Sequence, residues 1–356
     1  MKRFACAVVA ALIAVACSSS EGTSIPDSTP GSKTDPTDPN NPSNPSKPSN
    51  PSTPGKPTDP NPSPATMADC DAMASAFCQR LSTCDHLVTK LLGSVATCAE
   101  RYSRHCVNGA AAPGSGLTHA AVATCTPGIA NTSCDDLTGG GAKALGPAGC
   151  SFEGTLADAS KCAFGQQCKS GSCTAQDGQC GVCEPVAALG GSCAGSITCA
   201  ARAYCNVSTG KCALRTALGQ ACGTGSGDHC VENGSCVNGI CTAFGSTGQA
   251  CDKNGVTAPM CDLSNGSACI GSPNKCTPFP ITKSLGATCG FDASNLTLCG
   301  PGLSCAYGTN GSGTCIAETP EGGACAPGPN GGSSTCALAL ECIGGTCAYT
   351  TAAVCN

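Results

Sequence analysis

Residues 190–212 read GGSCAGSITCAARAYCNVSTGKC, and residues 219–241 read GQACGTGSGDHCVENGSCVNGIC. Each stretch opens with a glycine three places before its first cysteine, Gly190 before Cys193 and Gly219 before Cys222. The remaining cysteines are Cys199, Cys205 and Cys212 in one, and Cys230, Cys236 and Cys241 in the other. The arrangement returns three more times: Cys251, Cys261, Cys269 and Cys276 after Gly248; Cys289, Cys299, Cys305 and Cys315 after Gly286; and Cys325, Cys336, Cys342 and Cys347 after Gly322. The middle gap is five residues in four of these five groups, a regularity that marks tandem structural units. An irregular leading unit, KCAFGQQCKSGSCTAQDGQCGVC, adds Cys162, Cys168, Cys173, Cys180 and Cys183, and Cys355 follows the last group. The Gly-Ser and Asn-Gly steps between cysteines suit tight turns and short irregular hairpins.

Composition agrees with small stapled modules. The 356 residues include 36 Cys and 47 Gly but no Trp, 7 Phe and 4 Tyr, so the side chains that build one large core are scarce. This cysteine content predicts an oxidising compartment in which disulfides persist. Cytosolic zinc sites favour paired C-x2-C spacings, whereas most gaps here run from four to ten residues. A crosslink closing about 15 residues contributes roughly 3 kcal/mol on the chain-entropy model. Without its crosslinks the array is expected to be unfolded.

Before the array, residues 67–150 have a helical texture. Cys70, Met73, Phe77, Leu81, Cys84 and Val88 recur at steps of three and four, an amphipathic helix face. Thr66 and Asp69 resemble a capping box. Gly93-Ser94 starts a second helix with Val95, Cys98, Tyr102 and His105 or Cys106 inside, ending near Asn108-Gly109. An antiparallel hairpin of the two helices brings together residues that share a midpoint, which predicts the disulfides Cys84–Cys98 and Cys78–Cys106. A third helix is expected from about Thr118, bent or ended near Pro127. The partners of Cys70, Cys125, Cys134 and Cys150 are open, as are those of the leading-unit cysteines and Cys355.

The amino terminus reads as an export signal. Met1-Lys2-Arg3 is a positive n-region, and Phe4 to Ala16 is apolar or small; the run is too short to span a bilayer but fits a signal h-region. Ala14-Val15-Ala16 satisfies the A-x-A rule for cleavage before Cys17. Cys6 leaves with residues 1–16, and the cysteines from Cys70 to Cys355 are even in number, so Cys17 is the odd one out. Residues 18–66 are almost wholly Ser, Thr, Pro, Asp, Asn, Lys and Gly, with a proline at every third position from Pro36 to Pro60. That period stacks prolines along one edge of a polyproline II rod. At about 3.1 Å per residue the 49-residue segment reaches on the order of 150 Å.

Several resemblances follow from these residues. Ala14-Val15-Ala16-Cys17 is similar to the lipobox of bacterial lipoproteins, with Ala14 where Leu is most common, which implies lipidation of Cys17; Ser18 resembles the sorting pattern for the outer membrane. The G-x-x-C opening, with three further cysteines and endings such as Gly345-Thr346-Cys347, resembles the Dickkopf N-terminal cysteine-rich repeat. Tandem copies behind a helical Cys-rich domain resemble a class of myxobacterial-type lipoproteins. Spacing alone leaves three connectivities for four cysteines. The resemblance implies the staggered one: Cys193–Cys205 and Cys199–Cys212, Cys222–Cys236 and Cys230–Cys241, Cys251–Cys269 and Cys261–Cys276, Cys289–Cys305 and Cys299–Cys315, Cys325–Cys342 and Cys336–Cys347.

Other constellations carry less. Cys180-Gly-Val-Cys183 resembles a redox pair, but that chemistry uses a helix N-terminus after a strand, which a Gly/Ser-rich repeat does not predict. His86, His105, His119 and His229 are dispersed, and Asp135-Asp136 lacks the spaced oxygens of a calcium loop. The chain has no G-x-S-x-G, P-loop or dinucleotide fingerprint. Net charge is −5 with scattered Lys and Arg, unlike the basic stripe that nucleic acid selects.

The expectation is therefore a small disulfide-rich fold in four segments: signal peptide 1–16, lipidated Cys17 and extended linker 17–66, helical domain 67–150, and an irregular short-hairpin array 151–356. No enzyme activity, cofactor or metal is expected. The expected partners are a membrane, held through the lipid, and an extracellular protein or surface ligand. The expected role is display of binding or adhesion modules at the outer membrane or cell surface, with a purely structural component as the alternative and redox or metal handling as a distant one.

Overall fold

The structure, a computed structural model, describes residues 63–138, 150, 152–175, 178–193, 198–200, 203–206, 208–223, 230–231, 234–271, 273–291, 296–308, 311–326 and 335–355. The expected signal segment, Cys17 and the linker up to residue 62 lie outside the described residues. Helices come first along the chain and small strand pairs follow, all crosslinked by 17 disulfides among the described residues.

Helix α1 (Met67–Thr83) opens with Thr66 as its cap: the Thr66 hydroxyl accepts from the Asp69 amide, and the Asp69 carboxylate accepts from the Thr66 amide at 2.8 Å. Two amides that the first helical turn leaves without partners are thereby satisfied. The expected continuous face through Val88 is interrupted. Asp85 takes a φ of +54°, and His86 then caps a separate short helix, α2 (Leu87–Leu92), its Nδ1 accepting from the Val88 amide at 3.2 Å. Gly93 ends α2 with a φ of +80°, and Ser94 caps α3 (Val95–Ala111) by accepting from Thr97. Thr118 caps α4 (His119–Ile129), which runs two residues past Pro127 before stopping; α5 (Cys134–Thr138) follows.

The short helix α2 corrects both expected hairpin disulfides. Cys78 bonds Cys98 and Cys70 bonds Cys106, so neither Cys84–Cys98 nor Cys78–Cys106 forms. The observed pairs, separated by 20 and 36 residues, are both centred on Val88, the middle of the connection. The expected pairs are centred on Leu91 and Leu92, as if α1 ran on to the Gly93-Ser94 turn. Inserting α2 shifts the residues of α1 that face α3 by six to eight positions, about two helical turns. Cys84, left beyond the end of α1, bonds Cys134 at the start of α5, and Cys125 bonds Cys150.

In each of the five cysteine groups the first cysteine bonds the third and the second bonds the fourth. The third and fourth cysteines face each other across an antiparallel hairpin, for instance Cys205 opposite Cys212 in the pair Ala203–Asn206 with Lys211–Leu214, so both disulfides lie on one face. The chain enters each group through a parallel contact beside the second cysteine, such as Ala187 with Cys199 or Thr216 with Cys230. It then makes a tight turn in which the repeating glycine is the third residue. Gly190, Gly219, Gly248, Gly286 and Gly322 have φ of +79° to +84°, and a carbonyl-to-amide bond such as Ala188 to Gly191 closes the turn. This is the type II geometry, which requires a positive φ at that place and so selects glycine.

The leading unit is a sixth copy. Cys162 bonds Cys173 and Cys168 bonds Cys183, Leu156 makes the parallel contact with Cys168, and Cys173 faces Cys183. Its turn is closed between Ala157 and Ser160 with Ala159, at a φ of +65°, in the glycine position. The Ala159 amide donates to Cys183 O at 2.8 Å, as the Gly190 amide does to Cys212 O. Cys180 is an insertion in this copy and bonds Cys355.

The array folds back on the helices. From the first unit, Gln167 donates to Pro113 O; from the third of the five glycine-led groups, Ser264 O accepts from Leu87 N. Arg101 on α3 donates to Leu338 O and pairs with Glu318 at 2.9 Å. Phe279, Leu296 and Leu298 complete the core formed by Leu81, Leu87, Val88, Leu92, Ile129 and Leu137.

Candidate interaction surface

The cysteine clusters are the densest chemistry in the molecule, and their state decides what they can do. In at least five units the sulfurs of the first, second and fourth cysteines lie within 4.8 Å of one another, as in Cys193, Cys199 and Cys212, a spacing that thiolates would need to hold an ion. Each of those sulfurs is already in a disulfide. A metal ligand or nucleophile must be a thiolate, so the oxidised units offer neither. Cys180 and Cys183 are not bonded to each other; they bond Cys355 and Cys168.

The described histidines hold local structure at separate places. His86 is buried as the α2 cap, and burial brings its imidazole down to about 4, with the Asp262 carboxylate opposing that shift. His105 stacks edge-on against Phe164 at 5.3 Å, with Nε2 buried and unpartnered. His119 lies 2.9 Å from Asp69, and that hydrogen bond is the largest of the contacts that hold the Asp69 carboxyl at about 2. His229 lies outside the described residues. Asp136 bonds Ser133 at the start of α5, a capping contact.

Between α2 and the Cys251–Cys276 unit there is a cleft of about 450 Å³, lined by Asp85, Lys90, Phe244, Asp262 and Asn265. Its charges are already engaged: Lys90 pairs with Asp85 at 2.9 Å, and Asp262 accepts from Ser264 and Asn265. The cleft reads as a seam between packed parts.

A repeated feature escaped the reading of the sequence. The residue just before the turn glycine is leucine in three groups, and these leucines stand in solvent: Leu189 is 56% exposed, Leu218 38% and Leu285 69%. Ile240 and Val256 add exposed apolar surface where the second and third groups meet, joined by the bond from Asn238 N to Val256 O. Single exposed leucines are ordinary. One returning at the tip of the same closed turn is a patterned display, since the turn and two disulfides fix where it points. The sequence signal is Leu-Gly-x-x-Cys, which residues 189–193, 218–222 and 285–289 carry. No helix among the described residues is long and apolar enough to cross a membrane. Comparison with protein-family models, with curated proteins and with solved structures finds no match for this chain.

Proposed function

We propose that this chain is a non-enzymatic, lipid-anchored protein of a bacterial envelope, fastened through Cys17 at the outer membrane, which displays its Dickkopf-like units as binding or adhesion modules on a stiff proline-rich tether. One observation carries the reading: every cysteine from Cys70 to Cys355 is in a disulfide, so Cys17 is left without a partner among them. Such complete pairing is the mark of an exported protein. A free thiol at the mature end is a liability, whereas a lipidated one fixes the tether. The repeated exposed leucines on rigid turns favour binding over a purely structural role.

Metabolic labelling with palmitate tests the anchor. Wild type takes up label and Cys17→Ser does not; equal labelling of the two overturns the proposal. Adhesion of cells that carry the triple change Leu189→Ser, Leu218→Ser and Leu285→Ser separates the roles. Loss of adhesion at unchanged surface level supports binding modules, and unchanged adhesion moves the assignment to the structural alternative.

A further inference from the structure

The disulfide between Cys180 and Cys355 differs from the others in three ways. All other pairs among the described residues join cysteines within the helical region or within one unit, separated by at most 50 residues, whereas this one spans 175 and ties the first unit to the segment after the last. Cys180 is the one described cysteine that is exposed; the rest are buried or half-buried. What the bond holds down has few other attachments. Tyr349 packs on the core of the last unit, and beyond it the segment touches α3 through Asn108, which donates to Thr350 O at 3.1 Å, and lays Ala352 and Val354 over Ala112, Ala163 and Phe164. Beneath that cover the Phe164 ring is 1% exposed and meets His105.

We propose that Cys180–Cys355 is a thiol–disulfide exchange site, a clasp that a dithiol opens selectively to uncover Phe164 where the first unit meets α3. A thiolate of the dithiol attacks Sγ of Cys180, the exposed residue of the pair, forming a mixed disulfide as the bond to Cys355 breaks. Cys355 leaves as a thiolate and takes a proton from water. The second thiolate of the dithiol then attacks its own half of the mixed disulfide, closing the dithiol to a disulfide and releasing Cys180, which is protonated in turn. The clasp gains two electrons and two protons, and the dithiol supplies both electrons. Exchange depends on access to the attacked sulfur, and access separates this pair from the buried ones. The units keep their own two disulfides each, and the salt bridge of Arg101 with Glu318 keeps the last unit seated, so opening is local.

Graded dithiothreitol on the intact oxidised protein, with alkylation and peptide mapping, tests selectivity. Cys180 and Cys355 should become alkylated at about tenfold lower dithiothreitol than the next pair. Another pair opening first, or together with them, overturns the site. Hydrogen exchange on the double variant Cys180→Ser and Cys355→Ser tests the consequence. Amides in 349–355 should exchange about tenfold faster while the unit hairpins keep their protection. Unchanged exchange in that segment shows that the bond is no clasp. Should the variant not fold, wild type reduced only at this pair takes its place in the same measurement, with faster exchange in 349–355 supporting the clasp and unchanged exchange overturning it.

Discussion

Around α1 and α3 the buried side chains include Leu81, Leu87, Val88, Leu92, Ile129 and Leu137, each at 6% exposure or less. Inside the unit that runs from Cys251 to Cys276 they are Cys251, Cys261 and Cys276, with Cys269 packed against them. The helical region buries branched apolar surface and then adds disulfides; the unit buries almost nothing except its disulfides. A stretch of about 25 residues is below the size at which burial offsets chain entropy. Two crosslinks on one hairpin face therefore substitute for a core, and the same substitution repeats because each unit is too small to escape it.

The contrast can be broken from either side. Leu81, 1% exposed, sits in the helical core, so Leu81→Ala should cost about 2 to 5 kcal/mol through the lost burial and the cavity left behind. Chemical denaturation followed by helix signal reads this, and hairpin amides in the Cys193–Cys212 unit should keep their protection. Removing one crosslink there, with Cys199→Ser and Cys212→Ser, should cost about 3 kcal/mol. That loss should be confined to the unit: exchange rises in residues 203–214 while α1 stays protected, and loss of protection in α1 would contradict local stabilisation.

The folded pKa of His86, about 4, is below the ordinary value of 6.5, so between these values the unfolded chain takes up a proton that the native state refuses. The His86 contribution to stability should therefore be lost as pH drops from about 6.5 to 4, by on the order of 3 kcal/mol for a shift of this size. Asp262 works against the effect and Lys90 with it. His86→Asn keeps a side-chain oxygen for the Val88 amide and should remove the His86 part of that slope in denaturant titrations across pH, leaving the part due to His105, whose imidazole burial also lowers. The smallest effect sharpens the repeat. Ala159 occupies the positive-φ place that glycine fills in the other five units, so Ala159→Gly should stabilise the first unit, and Gly219→Ala should destabilise its own, each by about 1 kcal/mol. Thermal unfolding of the two variants should move in opposite directions.

The repeat and its boundaries were legible because glycine and cysteine each answer one local demand, a positive φ and a crosslink. The alternating bonds coincide with the pattern that the Dickkopf resemblance implies. The first unit hid as a regular copy because Ala159 replaces the glycine and Cys180 interrupts the spacing. The helices were legible from their capping residues and three-four steps, while the register of Cys78 and Cys70 was not. That register depends on Asp85 turning left-handed and His86 starting α2, which a continuous apolar periodicity through Val88 conceals. The bond from Cys180 to Cys355 depends on the array returning to the helices, a long-range matter that local spacing does not encode. The leucines at 189, 218 and 285 were visible as letters; only the turn reveals them as exposed.

The claim that disulfides replace a core in the units is tested most directly by hydrogen exchange with mass spectrometry on the native and the fully reduced, alkylated protein. On reduction, hairpin amides such as those of residues 203–206 and 211–214 should lose all protection, while α1 and α3 keep a measurable part of theirs. Hairpins that stay protected without their crosslinks would contradict it.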